Sequence, residues 1–516
     1  MPLTRREFLL RTASIAAIGA WPRVYAAARP RYTSNPFTLG VASGYPHASG
    51  MSLWTRLAPW ADEAIPPTPV EVTWEIAEDD RWRSIAARGT VNATPQWGHS
   101  VHVDVKHLQP ARDYWYRFRA GDAVSTTGRT RTAPRVEAMA PRLRLALASC
   151  QHFEHGYFTA YRHMAREDLD LVVHVGDYIY ESNVSQRRVR VREHGTQQPQ
   201  TLDEYRARYA LYKSDPDLQA AHAAFPWIVT WDDHEVHNDY ANDRSHDLAP
   251  REAFLARRAA AYQAYYEHMP LPAWARPQGP DMRLHGELSY GSLARFFVLD
   301  TRQYRSPQVC APEGRGGSTI VRAEECPDLN DVRLTMLGTH QEAWLDERLG
   351  RTQARWNLIT QQTLMARADR RVGPGADYWT DGWDGYPRAR ERMLNSLVKQ
   401  RVTNPLVLGG DVHMSAVADL KLDFDDASSP AIATEFVCPS ITSPGPSIKR
   451  IAAALQENPH IRYANGALRG YTTLELTASR CAARIRAIAS VTERDSPVKD
   501  LATYAVEDGK PGAQRA

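Results

Sequence analysis

Residues 171–181 read L-V-V-H-V-G-D-Y-I-Y-E. Leu171, Val172, Val173 and Val175 form an apolar run with no polar alternation, the pattern of a strand buried on both faces. The run ends at Gly176, where the backbone is free to turn sharply, and Asp177 follows at once. In open α/β sheets, ligands gather beyond the carboxyl ends of the strands. Asp177, with Tyr180 and Glu181 beside it, therefore reads as a ligand position rather than an ordinary turn.

Working outward, the same texture recurs. Expected strands at 143–148, 227–231, 293–299, 356–360 and 406–408 alternate with expected helices at 158–166, 202–223 and 251–268. That alternation implies a layered α/β domain. Upstream, residues 70–76, 100–105 and 114–119 show two-residue alternation between clusters of Pro, Gly and Asp. They suggest a small antiparallel, immunoglobulin-like sandwich over 29–135, joined to the α/β region (142–516) by a linker at 130–141. The last hundred residues return to β-like runs such as 470–478.

A chain of 516 residues with 43% hydrophobic and 24% charged content is globular and long enough for more than one domain. The first 28 residues hold Arg5, Arg6, Arg11 and Arg23 against Glu7, which accounts for the whole formal charge of +3. The remainder is balanced, so nothing points to nucleic acid or a membrane surface. Thr4-Arg5-Arg6-Glu7-Phe8-Leu9-Leu10, the mildly apolar 12–21 and the cluster Ala26-Ala27-Ala28 read as a twin-arginine signal peptide over 1–28. The expected partner is the twin-arginine export machinery, and the expected location is periplasmic or secreted. No later stretch approaches 18 apolar residues, so no transmembrane segment is expected in the mature chain. Five cysteines are too few for a disulfide scaffold. Cys310 and Cys326, however, bracket the Gly-rich A-P-E-G-R-G-G-S and are expected to close it as a loop in an oxidising compartment.

Four strands end in chemistry-bearing side chains: Cys150; Asp177 with Tyr180; Asp232, Asp233, His234 and Glu235 with Asn238; and Asp411 with His413. Converging, these carboxylates would repel one another unless cations neutralised them. Two metals sharing one carboxylate follow the logic of two-metal phosphoester hydrolysis. Taken singly, Cys150 reads equally as a buried small hydrophobe, Asp233 and His234 as caps, and Asp411 and His413 as a hairpin rim.

Together, S-C-Q (149–151), H-V-G-D-Y-I-Y-E (174–181), W-D-D-H-E-V-H-N-D (231–239), V-L-D-T-R-Q-Y-R (298–305) and G-G-D-V-H (409–413) resemble the signature blocks of the PhoD-like alkaline phosphatases. That family lies within the calcineurin-like metallophosphoesterases. The resemblance implies a four-layer αββα core behind an N-terminal immunoglobulin-like domain, and a site holding iron (Fe3+) and calcium (Ca2+). Carried onto this chain, Cys150, Asp177, Tyr180, Asp411 and His413 would hold the iron; thiolate and phenolate suit a high-valent ion. Asp177 would bridge, and Asp233 and Asn238 would offer oxygens to calcium. His234 becomes a candidate acid or phosphate contact, with orientation of a ligand as the alternative. Arg302 becomes a candidate phosphate clamp, with an ion pair to Asp300 as the alternative. Residues 381–386, D-G-W-D-G-Y, resemble a further block and suit a loop over the site mouth, which makes Trp383 a substrate-binding candidate.

The implied activity is alkaline hydrolysis of phosphate monoesters, diesters or both, by attack of a metal-activated hydroxide or oxide on phosphorus. A phospholipase D-like phosphodiesterase on the same metals is the nearest alternative. A calcium-containing extracellular binding module without turnover is the alternative of another class.

Overall fold

The protein was analysed as a computed structural model, which describes residues 31–59, 65–185 and 190–516. The expected signal peptide lies outside the described residues. Two large sheets face each other. In the first, Leu143–Ala148, Leu171–His174, Pro226–Val229 and Val41–His47 run parallel as neighbours. In the second, Ala294–Val298, Trp356–Thr360, Pro405–Gly409 and Ala431–Val437 do the same.

The continuous apolar runs are explained by burial on both faces. Leu143, Leu145, Leu147, Leu171, Val173 and Val175 point between the sheets, where they meet Phe296, Val298, Leu358, Leu406 and Leu408. Their alternates Ala146, Ala148, Val172 and Val229 point outward under the helices Leu202–Lys213, Pro216–Ala224 and Arg251–His268. On the far side Phe297, Ile359 and Val407 lie under Gly338–Leu349 and Pro387–Lys399. The result is αββα. Each interior valine or leucine contributes about 1.5–3 kcal/mol by leaving water, which is why polar residues are deferred to the strand ends.

The helix expected over 202–223 is two helices. Pro216 has no N–H to continue the first, and Asp215 caps the second by accepting from the N–H groups of Asp217 and Leu218. The helix expected over 158–166 shortens to Thr159–Met164. The linker expected at 130–141 begins later, because Thr130 and Arg131 belong to the strand Gly128–Arg131, paired with Asp113–Ala120.

The N-terminal β layers share the main sheet. Val70–Ala77, Ile85–Ala93 and Asp113–Ala120 form one layer. It packs through Val70, Val72, Ile76, Tyr116 and Phe118 on Val41, Met51, Leu53 and Val103. The latter come from Val41–His47, Gly50–Arg56 and Ser100–Val105, which are the edge of the first large sheet. At its other edge, Arg469–Leu476, Arg480–Ile488, Val498–Glu507 and Lys510–Arg515 extend the sheet. Cys310 and Cys326 are disulfide-bonded as expected, whereas Cys150, Cys438 and Cys481 are free and buried. No helix among the described residues is long and apolar enough to cross a membrane.

Candidate metal centre

Because both sets of parallel strands end on the same side, the residues just past them meet. Cys150 leaves Leu143–Ala148, Asp177 leaves Leu171–His174, Asp232 and Asp233 leave Pro226–Val229, and Asp411 and His413 leave Pro405–Gly409. The chain turns abruptly at these points. Cys150, Asp177, Asp411 and His413 all adopt left-handed backbone, with φ of 59°, 57°, 63° and 55°. Such conformations cost on the order of 1–3 kcal/mol each in a non-glycine residue. Four of them where the two sheets end together mark a place where side-chain position outweighs local stability.

Glu235 holds two of these turns together. Its buried carboxylate accepts from Asp177 N–H (3.2 Å), Tyr178 N–H (2.6 Å) and Asp232 N–H (2.8 Å). The turn at Cys150 is tied in by its N–H to Gly176 O and by Gln151 N–H to Asp177 O, at 3.2 and 3.0 Å.

Three groups of potential ligand atoms result among the described residues, each with its members within 4.8 Å of one another. The first is Cys150, Asp177 and His413; the second is Asp177, Asp233 and His234; the third is Asp233, Asp239 and Asp381. Asp177 belongs to the first two and Asp233 to the last two. Tyr180 joins the first: its Oη donates to Asp177 Oδ2 at 2.7 Å, lies 2.9 Å from His413 Nε2, and accepts from Ser443 Oγ at 2.8 Å. His413 gives its Nδ1–H to Pro444 O at 3.1 Å, which leaves Nε2 as the nitrogen with a lone pair to offer. Asn238 is placed by its backbone N–H on Glu181 Oε1, 2.9 Å away, on the turn that begins at Asp233.

The donor set fits cations. Among the described residues, Asp177 Oδ1, Asp232 Oδ2 and Asp411 Oδ2 are buried oxygens without a hydrogen-bond partner, a costly state unless something else satisfies them. Burial, reinforced by neighbouring carboxylates, pushes Asp177 and Asp411 well above the usual carboxylate range; Asp232 follows them, with Arg302 pulling the other way. Burial and Asp177 likewise push the Cys150 thiol and the Tyr180 phenol up. Burial draws His413 down to about 3, keeping it a neutral imidazole. A bound cation reverses this logic for oxygen and sulfur donors alike.

His234 differs. Burial works against its charge, but Glu181, Asp233 and Asp177 together hold it well above the usual imidazole value. Its Nδ1 lies 2.6 Å from Glu181 Oε2, and its ring lies 4.1 Å from that of Tyr180, centroid to centroid.

Arg302 does not pair with its neighbour Asp300 through its side chain; Asp300 Oδ1 instead accepts the Arg302 backbone N–H at 2.9 Å. The guanidinium, 1% exposed, reaches Asp232 through Nε and Asp381 through Nη1 (2.8 Å), with Nη2 3.8 Å from Asp233. It is the counter-charge of the acidic cluster. Asp381 also takes Arg305 and Gln308.

Residues 381–386 are a packed turn, not a loop over the mouth. Trp383 is 1% exposed and its indole N–H donates to Gln361 Oε1 at 3.1 Å. Apolar packing against the outer helix layer takes the ring inward.

Sequence reading missed the roles of Glu235, Glu181, Asp381, Ser443 and the disulfide-closed loop. Within that loop, Ser318 donates both N–H (3.0 Å) and Oγ–H (2.5 Å) to Asp239 Oδ2. Asp239 N–H in turn donates to Asp233 Oδ2 at 2.6 Å. Only the sequence distance between Asp239 and Ser318 concealed this; the Cys310–Cys326 bracket was its one visible signal.

Comparison with known proteins agrees with this geometry. A family model described as "PhoD-like phosphatase" matches residues 145–485, and one described as "PhoD-like phosphatase, N-terminal domain" matches residues 24–134. Alkaline phosphatase D of Bacillus subtilis (strain 168) is 44% identical over 496 residues, covering 95% of this chain and 84% of that protein. A solved structure described as "Structure of PhoD" superposes with a TM-score of 0.89 at 44% identity, covering 94% of this chain and 93% of the other. With family models spanning both regions and a relative similar nearly end to end, the chain belongs to the PhoD-like phosphatase family.

Proposed function

We propose that the protein is an exported alkaline phosphatase D-like enzyme that hydrolyses phosphate monoesters, diesters or both, with iron and calcium as its metals. The observation that supports this reading is Asp177, whose carboxylate belongs to two overlapping groups of potential ligand atoms and would be shared between two cations. Cys150, Tyr180, Asp411 and His413 complete the thiolate- and phenolate-rich side, suited to iron. Asp233 and Asn238 supply the hard oxygen side, suited to calcium. Cations held by these residues would supply Lewis-acid polarisation of a phosphoryl group and activation of water near neutral pH.

The chain's own residues do the rest. Glu181 fixes Nδ1 of His234, so the imidazolium carries its transferable proton at Nε2, for the oxygen that departs from phosphorus. Arg302 balances Asp232 and Asp381; Nη2, the corner with the longest carboxylate contact, is the one free to meet a phosphoryl oxygen. Ser443 and Pro444 hold Tyr180 and His413 in place. The 1–28 leader supports delivery by the twin-arginine route, and Cys310–Cys326 suits an oxidising destination.

The test is nitrophenol release from 4-nitrophenyl and bis(4-nitrophenyl) phosphate at alkaline pH with calcium, before and after chelation, alongside Asp177→Asn. The expected result is chelator-sensitive turnover. Asp177→Asn should lose bound metal and more than about 100-fold in activity while keeping its circular dichroism. Full activity in that variant overturns the site. Metal retention without turnover of either ester favours a binding module.

A further inference from the structure

A cavity of about 110 Å³ adjoins the metal centre and has no part in the account above. One backbone segment, 411–414, serves both. Asp411 and His413 belong to the metal centre, while the intervening Val412 and the following Met414 line the cavity. A second junction lies at 381–383: Asp381 carries Arg302, and Gly382 and Trp383 are cavity wall. The remaining wall is largely apolar, with Leu364, Trp379, Ile451, Ala454 and Leu455. Its polar members Asp369, Asp384 and Asn458 are spent on other partners: Asp384 on Arg390 and Ala368 N–H, and Asp369 and Asn458 on each other's backbone and side-chain groups and on Asp377 N–H. Thr363, whose buried hydroxyl has no hydrogen-bond partner among the described residues, is the polar group left to a ligand.

Two cations complete the lining. Arg370 and Arg450 form no ion pair among the described residues, and Arg370 stacks its guanidinium 5.3 Å above the Trp379 ring. Both are exposed to solvent at the edge of the chamber. An apolar chamber flanked by two exposed arginines is complementary to an amphiphile with a hydrocarbon body and an anionic head, because the wall gains by covering apolar surface and the rim meets negative charge.

We infer that this cavity is the alcohol-side subsite of the enzyme: it takes the alkyl or aryl portion of a phosphate ester, with Arg370 and Arg450 facing the ester's negative charge. The inference rests on the phosphoesterase reading, and it names the substrate class that reading leaves open.

The metal-loaded protein should be assayed for phosphate release from n-alkyl phosphates of increasing length, from methyl to octyl, with glycerol phosphate as the polar control. The first few methylenes should each lower KM by up to about fourfold, and the trend should flatten once the cavity is full. Octylphosphonate, which cannot be hydrolysed, should inhibit more strongly than methylphosphonate and perturb the fluorescence of Trp379 and Trp383. Leu455→Asp and, separately, the space-filling Ala454→Phe should flatten the octyl-to-methyl ratio of kcat/KM; their melting temperatures and metal content certify the fold. Arg450→Gln should raise the Ki of octylphosphonate. Equal KM along the series, or glycerol phosphate outperforming the octyl ester, overturns the subsite while leaving the phosphatase reading intact. No phosphate release from any ester by metal-loaded protein overturns the reading and the subsite together.

Discussion

At the scale of single residues, the centre separates groups that sequence reveals from groups it hides. Cys150, Asp177, Asp233 and Asp411 stood out in the sequence because each follows an apolar run, and their recurrence at four strand ends outweighed the ordinary reading of each one alone. Glu181 and Glu235 were not, because their partners are reached only in three dimensions. Glu235 serves backbone N–H groups more than 50 residues away, at Asp177 and Tyr178. Glu181 has the larger chemical consequence. Although burial opposes its charge, His234, His237 and the Asn238 N–H draw its pKa down to about 2 from 4.5. Between those values the unfolded chain binds the proton and the folded chain does not. The pair's stabilisation is therefore complete above about pH 4.5 and lost as pH falls toward 2. Against burial, the same carboxylate, with Asp233 and Asp177, raises His234 well above the usual imidazole value. Glu181→Gln should thus move the alkaline limb of the kcat/KM profile downward by at least about one pH unit, equivalent to tenfold at a fixed alkaline pH. An unmoved limb, in protein that keeps its metals, would remove His234 from the role of acid.

Elements deliver these residues, and the delivery depends on turns rather than on the strands themselves. Some elements were legible to the residue, since the helix expected at 251–268 and the strand expected at 356–360 coincide with Arg251–His268 and Trp356–Thr360. The strand registers were not, because parallel neighbours lie far apart in the chain and leave no local signature. Gly176 is where a strand becomes a site. Its φ is 106°, and a Cβ there would sit 2.5 Å from Asp232 Cβ and 2.6 Å from Asp232 N. The turn carrying Asp177 is thereby pressed against the turn carrying Asp232, with no room for a methyl group. Gly176→Ala should cost about 2–4 kcal/mol through strain and displaced backbone, and should reduce metal occupancy by separating the two turns. Thermal unfolding and metal analysis on one preparation check both effects. A variant with wild-type melting and full metal content would show that the contact is not a constraint.

The whole molecule joins its support to its catalyst more tightly than a two-domain reading of 29–135 and 142–516 conveys. Alternation along 70–76 and 114–119 pointed to a β layer, but nothing local announces that Val41–His47 pairs with Pro226–Val229 about 180 residues later. That pairing is close. Ser43 and Gly44 stand in register with Pro226 and Trp227, Tyr45 Oη donates to Val229 O at 2.8 Å, and a Cβ on Gly44 would meet Pro270 O at 2.4 Å. Trp54, fully buried, gives its indole N–H to Glu267 O at 3.0 Å, while Arg206 binds the Glu267 carboxylate. Removing residues 1–135 would strip the neighbour from Pro226–Val229 and leave an apolar sheet edge open to association. The damage would travel, because Asp232 and Asp233 lie just three and four residues beyond Val229. A chain of residues 136–516 should therefore aggregate, or melt at least about 10 °C lower with reduced metal binding, in a gel-filtration and calorimetry comparison with the full chain. If the truncated chain is a soluble monomer with unchanged melting temperature and activity, the shared sheet is an accident of packing and the N-terminal layers are dispensable. If it fails as expected, the β layers are part of what holds Asp232 and Asp233 in place.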